Sequence, residues 1–201
     1  MLQREPELAW TASEPTTSWK AVRQVNPSPP LSTVPDSVPR WFAIYTMPRH
    51  EKFAARNFSQ REIECFLPVY EKATVWKNRQ TVRTSLPLFP RYVFARFDWT
   101  RRLPVLQTPG VREIVGAGAQ PIAVTDLEIE FLRMETGKQV VEPYADLVLG
   151  KRVAIKSGPM AGIEGVLIHR GGGDRFIFTL HLIQKSVSIQ IGAEDLEMLD
   201  A

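Results

Sequence analysis

The sequence predicts an α+β domain with an antiparallel sheet flanked by helices, followed by a small all-β barrel. In the first part of the chain, segments with a two-residue apolar period alternate with segments of helical period. After residue 150 the helical period is absent, and four or five short alternating strands fill roughly 50 residues, as in small barrels. Residues 1–39 are rich in proline and show neither period, which predicts a disordered leader.

The first domain is assigned to residues 40–138 and begins with an aromatic strand at 41–46. Pro48 suits the first turn of a helix that runs to about Gln60, with Phe53, Ala54 and Phe58 facing inward. The remaining elements are extended segments at 65–67, 69–76, 81–86, 91–97 and 111–115, a polar turn at 77–79 and a short helix at 100–106.

A second long helix is predicted to begin at a capping box. The Thr125 hydroxyl and the Glu128 carboxylate are spaced to satisfy free backbone N–H groups at a helix start. Three apolar residues repeat behind it at helical spacing and are expected to face the core: Leu127, Phe131 and Met134. Gly137 can end this helix.

Residues 139–147 are predicted to be a linker, and residues 148–201 a barrel. The barrel strands are expected around the alternating apolar residues Val153/Ile155, Val166/Ile168, Phe176/Phe178/Leu180/Leu182 and Val187/Ile189/Ile191. The glycines at 171–173 join two of these strands, so we interpret them as a hairpin tip and not as a phosphate-binding loop.

Composition argues against several classes of protein. The chain has 201 residues, 44% of them hydrophobic, and a net charge of +3, without the run of roughly 20 apolar residues that a membrane span needs. Cys65 lies in an apolar run, and the histidines lack metal-ligand spacing. No acid–base pair or activated nucleophile stands out. We therefore expect a cytoplasmic, monomeric protein that is not an enzyme and uses no cofactor or metal, with no signal peptide at its acidic N-terminus.

Basic residues are concentrated in the middle of the chain. Nine of them occur between residues 72 and 112 with Asp98 as the single acid: Lys72, Lys77, Arg79, Arg83, Arg91, Arg96, Arg101, Arg102 and Arg112. Such a block favours a polyanionic partner, although a charge run can also be no more than a solvated surface.

Two strands of the first domain carry large apolar groups on both faces. Side chains alternate along a strand, so Tyr92 and Phe94 share one face, as Tyr45 shares a face with Trp41. Two helices can cover one face of such a sheet, which leaves an aromatic patch that is typical of a protein-binding surface. The alternative is that a loop or the second domain covers it.

The segment Pro87-Leu-Phe-Pro-Arg-Tyr-Val-Phe-Ala-Arg-Phe97 closely resembles the PLFPxYxF segment in the N-terminal (NGN) domain of the NusG family. Trp41-Phe-Ala-Ile-Tyr45, Pro109-Gly-Val111 and Val115-Gly116 fall at matching places. The second domain resembles a KOW module, a small SH3-like barrel, at Gly150-x-x-Val-x-Ile155, at Lys156-Ser-Gly-Pro-Met-Ala-Gly162 and at Gly165-Val166. Together the matches extend from residue 41 to about residue 200.

This resemblance implies a transcription elongation factor. Its NGN domain would bind the clamp-helix coiled coil of RNA polymerase and suppress pausing or termination, and its KOW domain would recruit ribosomal protein S-ten or the termination factor Rho. The resemblance places the clamp-helix contacts at Tyr45, Leu88, Phe89, Tyr92 and Phe94. Upstream or non-template DNA would lie near Lys77, Arg79, Arg83, Arg101 and Arg102. The KOW loop would comprise Lys156, Gly158, Pro159, Met160, Gly162 and Gly165.

Three alternatives stay open at this point. Phe66-Leu-Pro-Val-Tyr70 and Leu103-Pro-Val-Leu106 resemble the specialised antitermination paralogues (RfaH- and UpxY-like) more than the general elongation factor. A general NusG-type factor is the second possibility. The third is a ribosome-associated RNA-binding protein that uses the KOW barrel, but the slight negative charge of 146–201 disfavours it.

Met160 replaces an aromatic residue common in this loop, and the strict β alternation predicts no refolding of the barrel into helices.

Overall fold

The predicted fold class is confirmed. The computed structural model describes residues 37–75, 79–117, 120–136, 142–144, 150–170 and 173–199. The leader up to residue 36, the turn at 77–78, the helix stop at Gly137 and the first two glycines of the predicted hairpin tip lie outside the described residues.

The N-terminal part contains short strands and three α-helices within the described ranges. In chain order these are β1 Arg40–Thr46, α1 Glu51–Gln60, β2 Glu64–Phe66, β3 Val69–Val75, β4 Thr81–Pro87, β5 Tyr92–Phe97, α2 Arg102–Leu106, β6 Val111–Ile114, β7 Gly116–Ala117, β8 Gln120–Pro121, β9 Ala123–Val124 and α3 Asp126–Thr136. A short 3₁₀ helix, Trp99–Arg101, precedes α2, so the helix predicted at 100–106 is divided in two.

An antiparallel sheet forms the centre of this part. Its strand order is β2-β5-β1-β6, and β9 also pairs with β1. In the β1–β5 ladder, Ala43 is opposite Phe94 and Tyr45 is opposite Tyr92. The hairpin β3–β4 is a separate two-stranded sheet, as is the pair β7–β8.

The two faces of the central sheet carry apolar side chains, as the alternation predicts, but each face packs against a different helix, which corrects the expectation that the helices cover only one face. Residues Phe42, Ile44, Val93, Ala95 and Phe97 form one apolar cluster with Ala54 and Phe58 of α1; we call this side the α1 face. Trp41, Ala43 and Phe94 belong to a second cluster that includes Ile129 and Leu132 of α3. We call this side, which also carries Tyr45 and Tyr92, the α3 face.

Helix α1 begins later than predicted and buries a different stripe. Arg49 has a φ of 63°, outside the helical region, so the helix starts at Glu51 and not near Pro48. Its buried residues are Glu51, Ala54 and Phe58. Phe53, which was predicted to face inward, is 48% exposed.

Helix α3 begins with the predicted capping box. The Glu128 N–H donates to the Thr125 hydroxyl (3.2 Å), and the Thr125 N–H donates to the Glu128 carboxylate (2.9 Å). The predicted inward stripe is right only at Phe131, because the other α3 residues in the buried cluster are Ile129 and Leu132. Leu127 and Met134 are exposed, whereas Phe131 is fully buried.

The C-terminal part is a β-rich sheet in the order β10-β14-β13-β12-β11-β15. These strands are β10 Glu142–Tyr144, β11 Lys151–Ile155, β12 Glu164–Arg170, β13 Gly173–Leu180, β14 Lys185–Ile189 and β15 Leu196–Met198. Strand β10 lies within the segment 139–147 that was predicted as linker, and it pairs with β14. This short edge strand contains a proline and no alternation by which it could be recognised.

The described helices do not include one with the length and apolar content of a transmembrane segment.

Candidate functional site

Tyr45 and Tyr92 form an aromatic pair at one end of the α3 face. They lie directly opposite each other in the β1–β5 ladder, and their ring centroids are 5.3 Å apart at an interplanar angle of 55°. Both side chains are partly exposed. Tilted pairs at this distance are favourable, so the two rings form a preorganised aromatic surface beside solvent.

The other three expected clamp-helix contacts, Leu88, Phe89 and Phe94, are buried. This burial corrects the expectation that the face is uncovered. Phe94 is 0% exposed, and its ring lies between those of Phe66 (6.3 Å) and Phe89 (6.1 Å). Leu88 and Phe89 are each 1% exposed. These three residues stabilise the core beneath the tyrosines, because another protein could reach them only after the fold opened.

A tight turn between β4 and β5 fixes the position of Tyr92. The Tyr92 N–H donates to the Phe89 carbonyl (3.1 Å), and the Thr46 N–H donates to the Arg91 carbonyl (2.8 Å). The Arg91 N–H donates to the carboxylate of Glu51 at 2.7 Å. Glu51 is buried at the first turn of α1, so this charge-assisted bond ties the turn to the helix. No sequence pattern indicates this role of Glu51.

The surroundings of Tyr92 raise the pKa of its phenol. Burial raises the pKa of Tyr92 above its ordinary value of 10.0, and the nearby Tyr45 and Glu113 add to the rise, whereas Arg91 opposes it. The phenol is therefore a hydrogen-bond donor at neutral pH, available to a partner at the rim of the aromatic pair.

The nucleic-acid candidates that the structure describes lie on two different elements. Arg79 and Arg83 lie on or beside the hairpin β3–β4, and Arg101 and Arg102 lie near α2; Lys77 lies outside the described residues. All four described arginines are exposed.

Some basic residues of the block form ion pairs with acidic residues. Arg96 lies 3.6 Å from Glu64 and 3.8 Å from Asp126, acids that are far from it in the sequence. Arg83 lies 3.7 Å from Glu71, in an exposed pair that contributes little to stability. The excess positive charge of the block is therefore smaller in three dimensions than in the sequence.

The hairpin β3–β4 presents basic side chains on both of its sides. Lys72 is paired with Thr84, and Arg83 is paired with the neighbouring residue Ala73. Since cross-strand partners share a face and successive residues alternate, Lys72 and Arg83 point to opposite sides. Cations on both sides suit a nucleic-acid strand that passes along the hairpin better than a flat partner surface.

The KOW-loop residues divide into exposed positions and positions that pack in the barrel. Gly158 (φ 84°) and Gly162 (φ 87°) adopt the left-handed conformation that glycine tolerates best. A Cβ on Gly165 would lie 2.5 Å from the Phe176 ring, so only glycine fits there. Met160 is buried in the barrel cluster, which shows how it takes the place of an aromatic packing residue.

Much of this loop is exposed, including Gly158 and Gly162. The Lys156 ammonium donates to the Glu194 carbonyl (3.2 Å), and Pro159 is exposed beside it. Within the described ranges, no group of three or more His, Cys, Asp or Glu residues could hold a metal ion.

Known proteins match both the sequence and the fold of this chain. The family model "NusG: Transcription termination factor nusG" matches residues 39–133, which include β1, the β4–β5 turn and most of α3. Over these residues the chain is similar to the NusG family. Members of this family are named transcription termination and antitermination factors.

Individual relatives extend the match beyond that segment. The NusG proteins of Staphylococcus aureus strains Mu50 and N315 are each 29% identical to this chain over an alignment of 139 residues. The alignment covers 63% of this chain and 76% of each of theirs. Both are named transcription termination/antitermination protein NusG. A solved structure titled "Domain interaction in Thermotoga maritima NusG" has a TM-score of 0.54 and 19% identity, and the match covers 83% of this chain and 100% of that one. At this identity the structural match supports the fold alone.

Proposed function

We propose that this chain binds the clamp-helix coiled coil of RNA polymerase through Tyr45 and Tyr92, and that it suppresses pausing or termination in the cytoplasm. The observation that carries the proposal is the partly exposed tyrosine pair, whose rings are 5.3 Å apart and in which Tyr92 packs against the buried cluster of Leu88, Phe89 and Phe94. A rigid aromatic pair over a well-packed base has the properties of an interface hot spot.

The proposed contact is smaller than the sequence suggested. Leu88, Phe89 and Phe94 support the pair from beneath, so the tip of a coiled coil would meet the two tyrosines and the residues around them. This geometry corresponds to helix recognition, in which a few apolar anchors dominate the affinity. The buried layer contributes by keeping both rings in place before the partner arrives.

Nucleic acid is the second proposed partner. The hairpin β3–β4 carries exposed cations on both sides, and Arg101 and Arg102 add positive charge at α2. Contacts from lysine and arginine to phosphates would hold upstream or non-template DNA without reading its sequence. In this proposal the DNA contact strengthens the complex, and the contact with the polymerase sets its position.

The barrel is proposed to recruit a further protein, ribosomal protein S-ten or Rho. Its support is the KOW resemblance, together with a loop in which Lys156, Gly158, Pro159 and Gly162 are exposed. The specialised antitermination role is likewise a proposal. The genes that neighbour this one would distinguish it from the general role, because a polysaccharide cluster favours a specialised factor.

The test is a calorimetric titration of the full chain with an isolated clamp-helix coiled coil. We expect Tyr92→Ala and Tyr45→Ala each to weaken binding by about 2 kcal/mol or more, as hot-spot residues do. Phe53→Ala is the matched control, because Phe53 is an exposed aromatic on α1 that packs outside the α3 face. Unchanged affinity in both tyrosine variants, with the fold intact by circular dichroism, would remove the proposed interface.

A further inference from the structure

Arg91 adopts a backbone conformation that a residue with a side chain rarely takes. Its φ is 73°, in the left-handed region. The buried Glu51 carboxylate accepts from its N–H at 2.7 Å, and its carbonyl accepts from the Thr46 N–H at 2.8 Å. The surrounding structure thus holds an arginine where glycine would fit with less strain.

The side chain of Arg91 lies at the rim of the tyrosine pair. Its guanidinium carbon is 4.4 Å from the centre of the Tyr45 ring, which is a cation–π distance. Its Nε is shielded from solvent and has no hydrogen-bond partner among the described residues. No salt bridge of the guanidinium is found within those same residues, and the Glu51 carboxylate accepts from the Arg91 backbone N–H. Arg91 is partly exposed, so its Nη groups, and not the shielded Nε, are the donors that an external group could reach.

We propose that Arg91 is a specificity-determining residue that pairs with a carboxylate on the polymerase coiled coil. This inference rests on the proposed function, because it concerns the same contact surface. The planar guanidinium offers two parallel donors to a carboxylate, and stacking on Tyr45 orients it before binding. The aromatic pair would then supply the affinity. Arg91 would select the register of the coiled coil in which an acidic side chain meets the guanidinium.

A carboxylate suits this position better than a nucleic-acid backbone. Glu113 lies opposite Tyr45 in the β1–β6 ladder, and its charge acts on Tyr92, so a negative group already borders the pair. A phosphate chain would bring repeated negative charges toward Glu113, whereas a helix can present a single acid to Arg91. The neighbouring rings also favour an amphipathic protein surface.

The variant Arg91→Gly tests this inference without disturbing the fold. Glycine relieves the left-handed backbone, so the melting temperature should stay equal or rise. Affinity for the clamp-helix coiled coil should fall about tenfold or more, as expected when a charge-assisted hydrogen bond is removed, and should become less sensitive to salt. Arg49→Gly is a matched control, because Arg49 is an exposed arginine with a φ of 63°. It should leave the affinity unchanged.

The carboxylate can be located on the partner. Each Asp or Glu of the coiled coil is replaced in turn by Asn or Gln, and one replacement should lower the affinity of the wild-type chain but not that of Arg91→Gly. Arg91→Gly that binds as tightly as wild type, while Tyr92→Ala does not bind, would overturn the inference and leave the proposed function intact. A destabilised Arg91→Gly would show that Arg91 serves the fold, which also overturns it. A wild-type chain that does not bind the coiled coil at all would remove both proposals.

Discussion

The ring of Phe131 on α3 lies 4.9 Å from the ring of Phe178 on β13, in an edge-to-face arrangement. Phe131 is also 6.1 Å from Phe176, and all three rings are buried. A residue is rotated by about 100° from the next one along a helix, so Phe131 points away from the side of α3 that carries Leu132. Helix α3 is thus buried on two sides, by the sheet and by the barrel.

The first prediction concerns this contact between the two parts of the chain. Phe131→Ala should lower the free energy of unfolding by about 3 kcal/mol, because it empties a packed aromatic site. Met134→Ala is the control: it removes a large apolar side chain of the same helix that is 43% exposed, and it should cost less than about 1 kcal/mol. Urea denaturation measures both. Equal effects of the two variants would mean that Phe131 does not hold the barrel against α3.

The second prediction concerns the start of α3. Thr125→Ala removes the hydroxyl that accepts from the Glu128 N–H, so stability should fall by about 1 kcal/mol. Thr125→Ser keeps that hydroxyl and should stay close to wild type. Urea midpoints at constant m-value report the difference. If the serine variant is destabilised as much as the alanine variant, the hydroxyl cap is not what stabilises the helix start.

The third prediction follows from the raised pKa of Tyr92. In the unfolded chain this phenol ionises near the ordinary pKa of 10.0, and in the folded chain it ionises at higher pH. Between those two values the folded state binds more protons than the unfolded state, so stability falls as the pH rises from about 10 through the folded-state pKa. Tyr92→Phe should remove this part of the fall. Denaturation curves measured from about pH 8 to 11 check it, and an unchanged alkaline slope in Tyr92→Phe would contradict it.

The fourth prediction concerns DNA contacts of the hairpin β3–β4. Arg79→Gln with Arg83→Gln should weaken binding to duplex DNA and reduce the log–log salt slope by about 0.9 for each phosphate that is no longer neutralised. Lys185→Gln on β14 is the control, since Lys185 is an exposed cation of the barrel. Fluorescence anisotropy at several salt concentrations measures the slopes. If the double variant keeps the wild-type slope, the hairpin charges are only a solvated surface.

The central sheet could be predicted from the sequence because its pattern is local. Alternation along a strand assigned Phe42 and Ile44 to one face and Trp41 and Ala43 to the other, and the structure confirms both faces. The capping box of Thr125 and Glu128 could be found for the same reason, since both partners lie within one helical turn.

The burial of individual side chains could not be predicted, because it depends on residues far apart in the chain. Phe94 is covered by Phe66 and Phe89, which no periodic pattern connects to it. Phe131 was correctly recognised as an inward-facing residue, but a period identifies a face and not the element that covers it. The pairing of Arg96 with Asp126 could not be recognised for the same reason.

The proposed clamp-helix contact is tested most directly by an NMR titration of the full chain with the isolated coiled coil. We expect the largest chemical-shift changes at substoichiometric partner to occur at Tyr45, Arg91 and Tyr92, and to disappear in Tyr92→Ala. Changes confined to the hairpin β3–β4 or to the barrel, with the tyrosine pair unaffected at saturation, would contradict the proposal.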